Sequence, residues 1–285
     1  MNNYFEGYYY KHQKNNDTLC FIVGRSKSEE FIQILTNDAV YQVPFIGNNQ
    51  FSKQGVKLDI HSENVTLTGK ISYGELAPIK YDIMGPFARL PMECRHGIIS
   101  MRHTLFGEVV LNGKTIDFSG GLGYIEMDAG RSFPKSYIWV QSNDFKEPCS
   151  VFASVATIPF LFFHFVGTIA LVLYEGREYR FATYLGAKVL ACTENQIVLK
   201  QGKQQLGVIG IAPQIVIGQI NPAGKQQLEI WLRPDAGLKL AAPDKGEMSR
   251  TILENPSCFA NFKFYLEDKL VFDFNSDHTS FEYEY

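Results

Sequence analysis

The chain has 285 residues, 45% of them hydrophobic, so it is long enough to bury a core as one large domain or two small ones. Its 27 Lys and Arg nearly balance its 30 Asp and Glu, and no stretch concentrates basic residues, which excludes nucleic acid as the main partner. The N-terminal residues do not resemble a secretory signal, and the five cysteines are widely spaced without a CxxC pair. We therefore expect a cytoplasmic protein without a disulfide framework or a zinc knuckle.

Short apolar or alternating runs broken by turn residues follow one another along the chain, a pattern typical of β-strands. No apolar period of 3.6 residues persists, so we expect few and short helices. The sequences "NGK" at residues 112–114 and "ED" at residues 267–268 indicate hairpin turns. The strand-like runs occupy residues 18–26, 31–36, 55–74, 107–121, 194–202, 227–234 and 261–275.

The most apolar segment runs from Val151 to Gly176 and has the length of a transmembrane helix. Pro159 and Gly167 interrupt it, however, and β-branched residues dominate both of its arms. These features favour two buried strands joined by the turn "PFLFFHF", residues 159–165. Because this turn is far more apolar than loops usually are, we expect it at a cavity mouth or at a weak contact with a membrane surface.

Two similar aromatic strands open the two halves of the chain: "YFEGYYYKHQ" at residues 4–13 and "SYIWVQSNDF" at residues 136–145. Their spacing hints at an internal duplication, although two unrelated aromatic strands would look the same. A duplication predicts two β-barrels or sandwiches of ordinary domain size, the first over residues 1–125 and the second over residues 126–285.

Alternation along the first aromatic strand sends large rings to both faces. This pattern suits an aromatic barrel wall with one acidic group, and equally an edge strand packed against a second domain. One face carries Tyr4, Glu6, Tyr8 and Tyr10, and the other carries Phe5, Tyr9 and Lys11.

Glu126 and Asp128 are two residues apart in "YIEMDAGRSFP", so in a strand they share one face. Two neighbouring carboxylates raise the pKa of one of them, which is the condition for a general acid at neutral pH. Arg131 opposes this if it pairs with either carboxylate. The alternative is an ion-paired turn that joins two domains.

Three other patterns are rejected. Glu93, His96 and His103 suggest a metal site, but their odd spacings send neighbouring candidates to opposite faces of a regular strand. The glycine cluster at residues 119–123 does not lead into an apolar helix, so a dinucleotide site is not expected. Ser100 and Ser132 match no nucleophile elbow.

"YFEGYYYK" and "GYIEMDAGRSFPKSYIWVQSNDF" resemble the paired signatures of tocopherol cyclases and their bacterial homologues. "DIMGPFARLPMECRHGIISMRH" and "ASVATIPFLFFHFVGTIALVLYEGREYRFATYLGAKV" are also similar to the bacterial members. The resemblance runs from Tyr4 to about Val189 and continues more loosely to the C-terminus.

The resemblance implies an all-β fold of two lipocalin-like (calycin-type) antiparallel β-barrels packed together, with few short helices. In tocopherol cyclases a prenyl double bond of a quinol is protonated, and the phenol oxygen then closes a ring. In carotenoid hydratases, which share this fold, an alkene is protonated and water adds. Both reactions imply an acid in a dry apolar pocket and neither implies a metal or an organic cofactor.

Several residues match the motifs of the family one by one. Glu6 and Gly7 match its N-terminal Glu-Gly, and Glu126 matches the acidic residue of its central motif. The turn and the strand after it are matched by Gly130, Phe133, Pro134, Tyr137, Trp139, Gln141 and Asn143. The chain departs from the family at Met127, Asp128 and Ala129, which stand where plant cyclases have Lys-Asn-Trp. Tocopherol cyclisation itself is therefore not established by the resemblance.

The first hypothesis is a tocopherol cyclase-like enzyme that acts on a prenylated or otherwise lipophilic small molecule by alkene protonation, followed by cyclisation or hydration. Its predicted catalytic residues are Asp128, Glu126 and Glu6. Its predicted substrate-binding residues are Tyr8, Arg131, Tyr137, Trp139, Gln141, Phe162 and Phe163. The second hypothesis is a non-catalytic lipocalin-like carrier with the same cavity, and the third is a structural protein with a filled core.

Overall fold

The computed structural model describes residues 4–160, 163–202 and 225–285, and 69% of these residues lie in β-strands. Two antiparallel sheets of ten strands form two lipocalin-like units, which confirms the predicted fold class. The only helices in the described part of the chain are short 3-10 segments, Gly85–Arg89 and Thr183–Leu185. No helix there is long and apolar enough to cross a membrane.

The first sheet contains β1 (Phe5–Lys14), β2 (Asp17–Arg25), β3 (Glu30–Thr36), β4 (Val40–Pro44), β5 (Gln50–Ser52), β6 (Gly55–His61), β7 (Thr66–Tyr73), β8 (Cys94–Leu111), β9 (Lys114–Asp117) and β10 (Leu122–Gly130). The second sheet contains β11 (Tyr137–Ser142), β12 (Cys149–Phe160), β13 (Phe163–Tyr174), β14 (Arg177–Ala182), β15 (Lys188–Thr193), β16 (Gln196–Gln201), β17 (Gln226–Arg233), β18 (Leu238–Asp244), β19 (Glu247–Leu266) and β20 (Lys269–Glu284).

The main path of paired strands is the same in the two sheets, and the tenth strand differs, because β9 follows its partner β8 in the chain whereas β18 precedes its partner β19. In each, the first strand pairs with the last at the centre of the sheet, giving the orders β4-β3-β2-β1-β10-β8-β7-β6-β5 and β14-β13-β12-β11-β20-β19-β17-β16-β15. The two aromatic strands noted in the sequence, β1 and β11, therefore occupy equivalent central positions. The first sheet ends at Gly130 and the second begins at Tyr137, so the predicted division between residues 125 and 126 falls inside β10.

Hairpin turns with a left-handed backbone connect several strand pairs, as the sequence predicts. Asn112 and Gly113 have φ of 50° and 82° between β8 and β9, and Glu267 and Asp268 have φ of 48° and 62° between β19 and β20. Positive φ at both central residues gives a turn whose twist matches that of the flanking strands. Glycine adopts this conformation without strain, which explains the "NGK" signal.

The apolar segment 151–176 forms the hairpin of β12 and β13, as predicted. The pairing continues to Phe160 opposite Phe163, so the strands extend further into the predicted "PFLFFHF" turn than expected. Phe162 and its neighbour at 161 lie outside the described residues, as does the side chain of Phe163. Membrane contact by this turn therefore stays a prediction.

Three hydrophobic clusters form the core: one inside the first curled sheet, one inside the second and one between the two sheets. Strand β11 contributes to two of these clusters, because its side chains alternate between its two faces. Ile138 and Val140 pack inside the second sheet, whereas Tyr137 and Trp139 pack between the sheets. Both faces of this strand are buried, and its first four residues, Tyr137–Val140, are aromatic or aliphatic, whereas the buried Gln141 and Ser142 that follow are polar.

Candidate functional site

An open cavity lies between the two sheets, and its void measures about 900 Å³ including the mouth. Most of its wall is apolar, from Met84 and Phe87 before β8 to Ile158 and Ile169 in the second sheet. Phe87 stacks on Phe165 of β13 with ring centroids 6.0 Å apart. Such an apolar cleft with a few convergent polar groups is the usual form of a small-molecule site.

Two carboxyl groups and an imidazole of this cavity come from neighbouring strands of the first sheet. Glu126 and Asp128 of β10 point to the same side and both line the cavity, as their two-residue spacing predicts. In the pairing of β8 with β10, His96 lies directly opposite Asp128. The antiparallel register thus brings the imidazole beside both carboxyl groups.

Glu126 is buried and receives two hydrogen bonds on the same oxygen. The Tyr124 hydroxyl donates to its Oε2 at 2.6 Å, and the indole Nε1 of Trp139 donates to Oε2 at 3.2 Å. No described residue donates to Oε1 of this cavity-lining side chain. The second oxygen is therefore free to exchange a proton with a bound molecule.

His96 connects the two carboxyl groups. Its Nδ1 lies 3.0 Å from Oδ1 of Asp128, and its Nε2 lies 3.5 Å from Oε2 of Glu126 without hydrogen-bond geometry. The imidazole stacks on Phe152 with centroids 4.8 Å apart and planes 10° from parallel. Packing against this ring fixes the imidazole plane between the two acids.

The environment sets the protonation of these groups. Burial raises the pKa of Glu126 to about 7, against the opposing effects of His96 and of the two donors on Oε2. Burial alone would lower the pKa of His96, but the charges of Asp128 and Glu126 outweigh burial and raise this pKa to about 9. At neutral pH the imidazolium pairs with Asp128, while Glu126 exchanges its proton readily.

Two further buried glutamates face the region between the sheets. Glu282 of β20 lines the cavity and accepts a short hydrogen bond from the Tyr137 hydroxyl on Oε2. Burial and the charge of Glu254 raise the pKa of Glu282 well above its usual range. Glu254 of β19 accepts from the Tyr9 hydroxyl at 2.7 Å, and its pKa is raised by burial to about 7. It does not line the cavity.

His96, Glu126 and Asp128 could also hold a metal ion, because one donor atom of each lies within 4.8 Å of the others. One imidazole and two carboxylates suit several divalent cations. The sequence rejected a different set, Glu93, His96 and His103, and the structure groups His96 with β10 instead.

The structure distributes the predicted site residues among three places. Four of them line the cavity: Glu126, Asp128, Tyr137 and Trp139. Tyr8 borders a smaller adjoining cavity, and Phe162 and the side chain of Phe163 lie outside the described residues.

Three predicted site residues border neither cavity. Glu6 pairs with Arg25 at 2.9 Å near the surface. Arg131 is exposed, and no ion pair between described residues joins it to Glu126 or Asp128. Gln141 is fully buried.

The sequence did not point to His96 as a partner of Asp128, nor to Glu282. Both contacts depend on pairings between distant segments: β8 with β10, and β11 with β20. In the C-terminal run "SFEYEY" acidic residues alternate with aromatic ones, so local alternation predicts Glu282 on the solvated face, opposite Phe281 and Tyr283. No local signal therefore marked it as buried.

No protein-family model matches the chain, and no curated protein matches its sequence. Solved structures do match its fold. The crystal structure of CghA covers 99% of this chain and 88% of its own, with a TM-score of 0.57 and 9% identity. CghA with Sch210972 matches over the same shares with a TM-score of 0.57 and 8% identity.

A Nitrosomonas europaea protein described as an AttH candidate covers 99% of this chain and 91% of its own, with a TM-score of 0.48 and 10% identity. At such low identity the likeness to CghA shows the fold alone, a pair of lipocalin-like units. The resemblance to tocopherol cyclases remains a prediction from the sequence motifs.

Proposed function

We propose that this protein is an enzyme that protonates an alkene of a lipophilic small molecule, with Glu126 as the proton donor. The observation that carries the proposal is a buried carboxyl group with a pKa of about 7 and a free oxygen in an apolar cavity. A general acid is most effective when its pKa lies near the working pH. Prenylated molecules are the substrate class, because the cavity wall is largely aliphatic and aromatic.

In the first step the O–H bond of Glu126 breaks, and its proton forms a C–H bond at one carbon of the alkene. The alkene π electrons make this bond, which leaves a tertiary cation on the other carbon and a carboxylate on Glu126. The new carboxylate faces the cation across a cavity of low polarity, where opposite charges attract strongly. The indole of Trp139 and the ring of Tyr137 offer aromatic faces to the same cation.

In the second step an oxygen lone pair captures the cation and forms a C–O bond. A hydroxyl group of the same molecule gives a ring, and a water molecule gives an alcohol. The oxygen then loses its proton to the Glu126 carboxylate, which restores the starting acid. Glu126 thus loses one proton to carbon and regains one from oxygen, so the cycle balances with the substrate alone, or with the substrate and one water. The ion pair of His96 with Asp128 lies beside Glu126.

A carrier of lipophilic molecules would use the same cavity, and the buried acid separates the two functions. A carrier gains nothing from an uncharged carboxyl group with a free oxygen, because burial of that group opposes folding at neutral pH. Enzymes, by contrast, commonly place such perturbed groups at their sites of chemistry.

Deuterium incorporation tests the proposal directly. Prenylated hydroquinones are incubated with the protein in D2O, and mass spectrometry measures one carbon-bound deuterium in each product molecule. We expect Glu126→Gln to abolish incorporation, because an amide cannot donate an acidic proton, while the matched variant Glu254→Gln retains it. Binding of the same compounds without incorporation in the wild-type protein would favour the carrier.

A further inference from the structure

A second, smaller cavity adjoins the first. Its void measures about 510 Å³ including its mouth, and it lies between the first sheet and strands β18 and β19. Four residues line both cavities: Glu126, Asp128, Phe133 and Glu282. We call these four residues the waist. Three carboxyl groups of the candidate site thus lie where the two cavities meet.

The smaller cavity has an apolar wall of its own. Ile22 and Phe31 contribute from the first sheet, and Met248 and Ile252 contribute from β19. A molecule that enters both cavities therefore meets apolar surface on each side of the waist and carboxyl groups between them. This distribution favours a ligand with its polar atom in the middle and not at one end.

Gly7 keeps the space beside the waist open. It lies on β1 directly opposite Asp128 and lines the smaller cavity. A Cβ atom at Gly7 would meet no atom within 4 Å, and its backbone does not have a positive φ. A larger side chain at this position would extend into the smaller cavity without strain in the strand.

Glu282 offers a hydrogen bond at the waist. The Tyr137 hydroxyl donates to its Oε2, and no described residue donates a hydrogen bond to Oε1. Burial and the charge of Glu254 both raise the pKa of this carboxyl group well above its usual range, which favours the protonated form. A protonated carboxyl group donates a hydrogen bond to a hydroxyl or carbonyl oxygen.

We propose that the two cavities are the lobes of one binding site for an elongated molecule with two apolar arms and an oxygen between them, which accepts a hydrogen bond from Glu282. The inference rests on the proposed function in that it names the ligand class of the same site. Bound in this way, the oxygen held by Glu282 lies at the waist together with the proton donor, Glu126.

Two isomeric ketones test the two-lobed site. In 7-tridecanone the oxygen lies between two equal arms, and in 2-tridecanone it lies near one end. Equilibrium dialysis measures the dissociation constant of each with the full-length protein. We expect 7-tridecanone to bind about ten times more tightly, which is the effect of one buried hydrogen bond. Only its central oxygen can accept a hydrogen bond from Glu282 while each arm lies in one lobe. Equal affinity, or binding of neither isomer, would overturn the proposal.

Two sets of variants assign the preference to its causes. Gly7→Leu fills the smaller lobe, so we expect it to lose the preference for 7-tridecanone over 2-tridecanone. Glu282→Met removes the donor and should equalise the isomers, whereas Glu282→Gln keeps an N–H donor and should retain the preference. A Gly7→Leu protein that binds both ketones as the wild type does would contradict the shared site.

The ketone experiment does not depend on turnover. A preference for the central oxygen without deuterium incorporation from any prenylated substrate would leave the two-lobed site standing and remove the proposed enzyme. Deuterium incorporation without a preference between the two ketones would leave the proposed enzyme standing and remove the two-lobed site. The comparison of isomers on the wild-type protein decides the inference even if a variant fails to fold.

Discussion

At the scale of single residues, Glu126 combines burial with incomplete pairing. Its Oε2 receives two hydrogen bonds, and its Oε1 receives none from a described residue. A charged carboxylate in such a position is less stable than the same group in water, so burial favours the protonated form. The ion pair of His96 with Asp128 lies close enough to Glu126 to reduce the rise in its pKa, but it does not cancel that rise.

Stability should depend on pH through Glu126. Its pKa is raised from 4.5 to about 7 in the folded protein, so its contribution to stability is fully present below pH 4.5 and is lost as the pH rises through 7. Glu126→Gln stays uncharged, and an amide oxygen still accepts from Tyr124 and Trp139. We expect this variant to be more stable than the wild type by about 2 to 3 kcal/mol at pH 8, with little difference at pH 4.

Thermal unfolding from pH 4 to pH 8 measures this difference. Glu63→Gln, at an exposed position, is the control and should follow the wild-type curve. A Glu126→Gln protein whose midpoint falls with pH as steeply as that of the wild type would show that Glu126 is ionised in the fold.

Local spacing was enough to place Glu126 and Asp128 on one face, because a strand repeats every two residues. It was not enough to find His96 or Glu282, whose positions depend on the register between distant strands. The position of Arg131 depends on the backbone path after Gly130, where the chain leaves the first sheet, and the side chain ends in solvent. The motif alone did not decide whether Arg131 pairs with one of the two carboxyl groups or points to solvent.

At the scale of elements, the connection between β7 and β8 covers part of the cavity. Residues 74–93 contain the first 3-10 helix and supply Met84 and Phe87 to the cavity wall. Arg180 of β14 holds this connection to the second sheet. Its guanidinium donates to the carbonyl oxygens of Tyr81 and Asp82, both at 2.8 Å.

Replacement of Arg180 should loosen this connection. The side chain is 2% exposed, so Arg180→Met removes a buried charged donor and leaves two carbonyl groups of the connection without their partner, and we expect a loss of about 2 to 4 kcal/mol in the free energy of unfolding. Arg180→Lys should restore only part of this, because a single ammonium group does not reproduce the fork of the guanidinium. Urea denaturation measures both effects.

The control for these variants is Arg177→Met, an exposed position on the same strand. An Arg180→Met protein as stable as this control would show that the connection is held by its apolar contacts alone.

At the scale of the whole molecule, a continuous hydrophobic cluster joins the two sheets. Tyr9 from β1 packs edge-on against Trp139 from β11 with centroids 5.4 Å apart, and Phe152 adds a ring from β12. The cluster belongs to both sheets, so neither sheet can unfold without exposing it. We therefore expect the two units to unfold in one cooperative transition.

Tryptophan fluorescence tests this cooperativity. The chain has two tryptophans, and Trp231 is 46% exposed on the second sheet, whereas Trp139 is buried between the sheets. In a Trp231→Phe protein the remaining signal reports on the region between the sheets. Its urea midpoint should coincide with the midpoint from far-UV circular dichroism. Fluorescence that changes first, with half of the circular dichroism signal lost later, would mean that the units separate before they unfold.

The fold class followed from short-range information: alternation, the two-residue turns and the absence of helical periodicity. The repeated aromatic strands also led to two units, because β1 and β11 occupy the same place in each sheet. The two cavities could not be predicted from this short-range information, since the walls of the smaller one combine residues as far apart as Gly7 and Glu282. Which faces of the two sheets meet is decided by packing between them, and no local pattern encodes it.

The central claim is that Glu126 holds a proton near neutral pH in the cavity. Infrared difference spectroscopy of the wild type against Glu126→Gln isolates the C=O stretch of this carboxylic acid, because the other buried glutamates, Glu254 and Glu282, are common to both proteins. The account predicts a protonated-carboxyl band that disappears with a midpoint near pH 7. A difference spectrum that shows only carboxylate for Glu126 at pH 6 would contradict it.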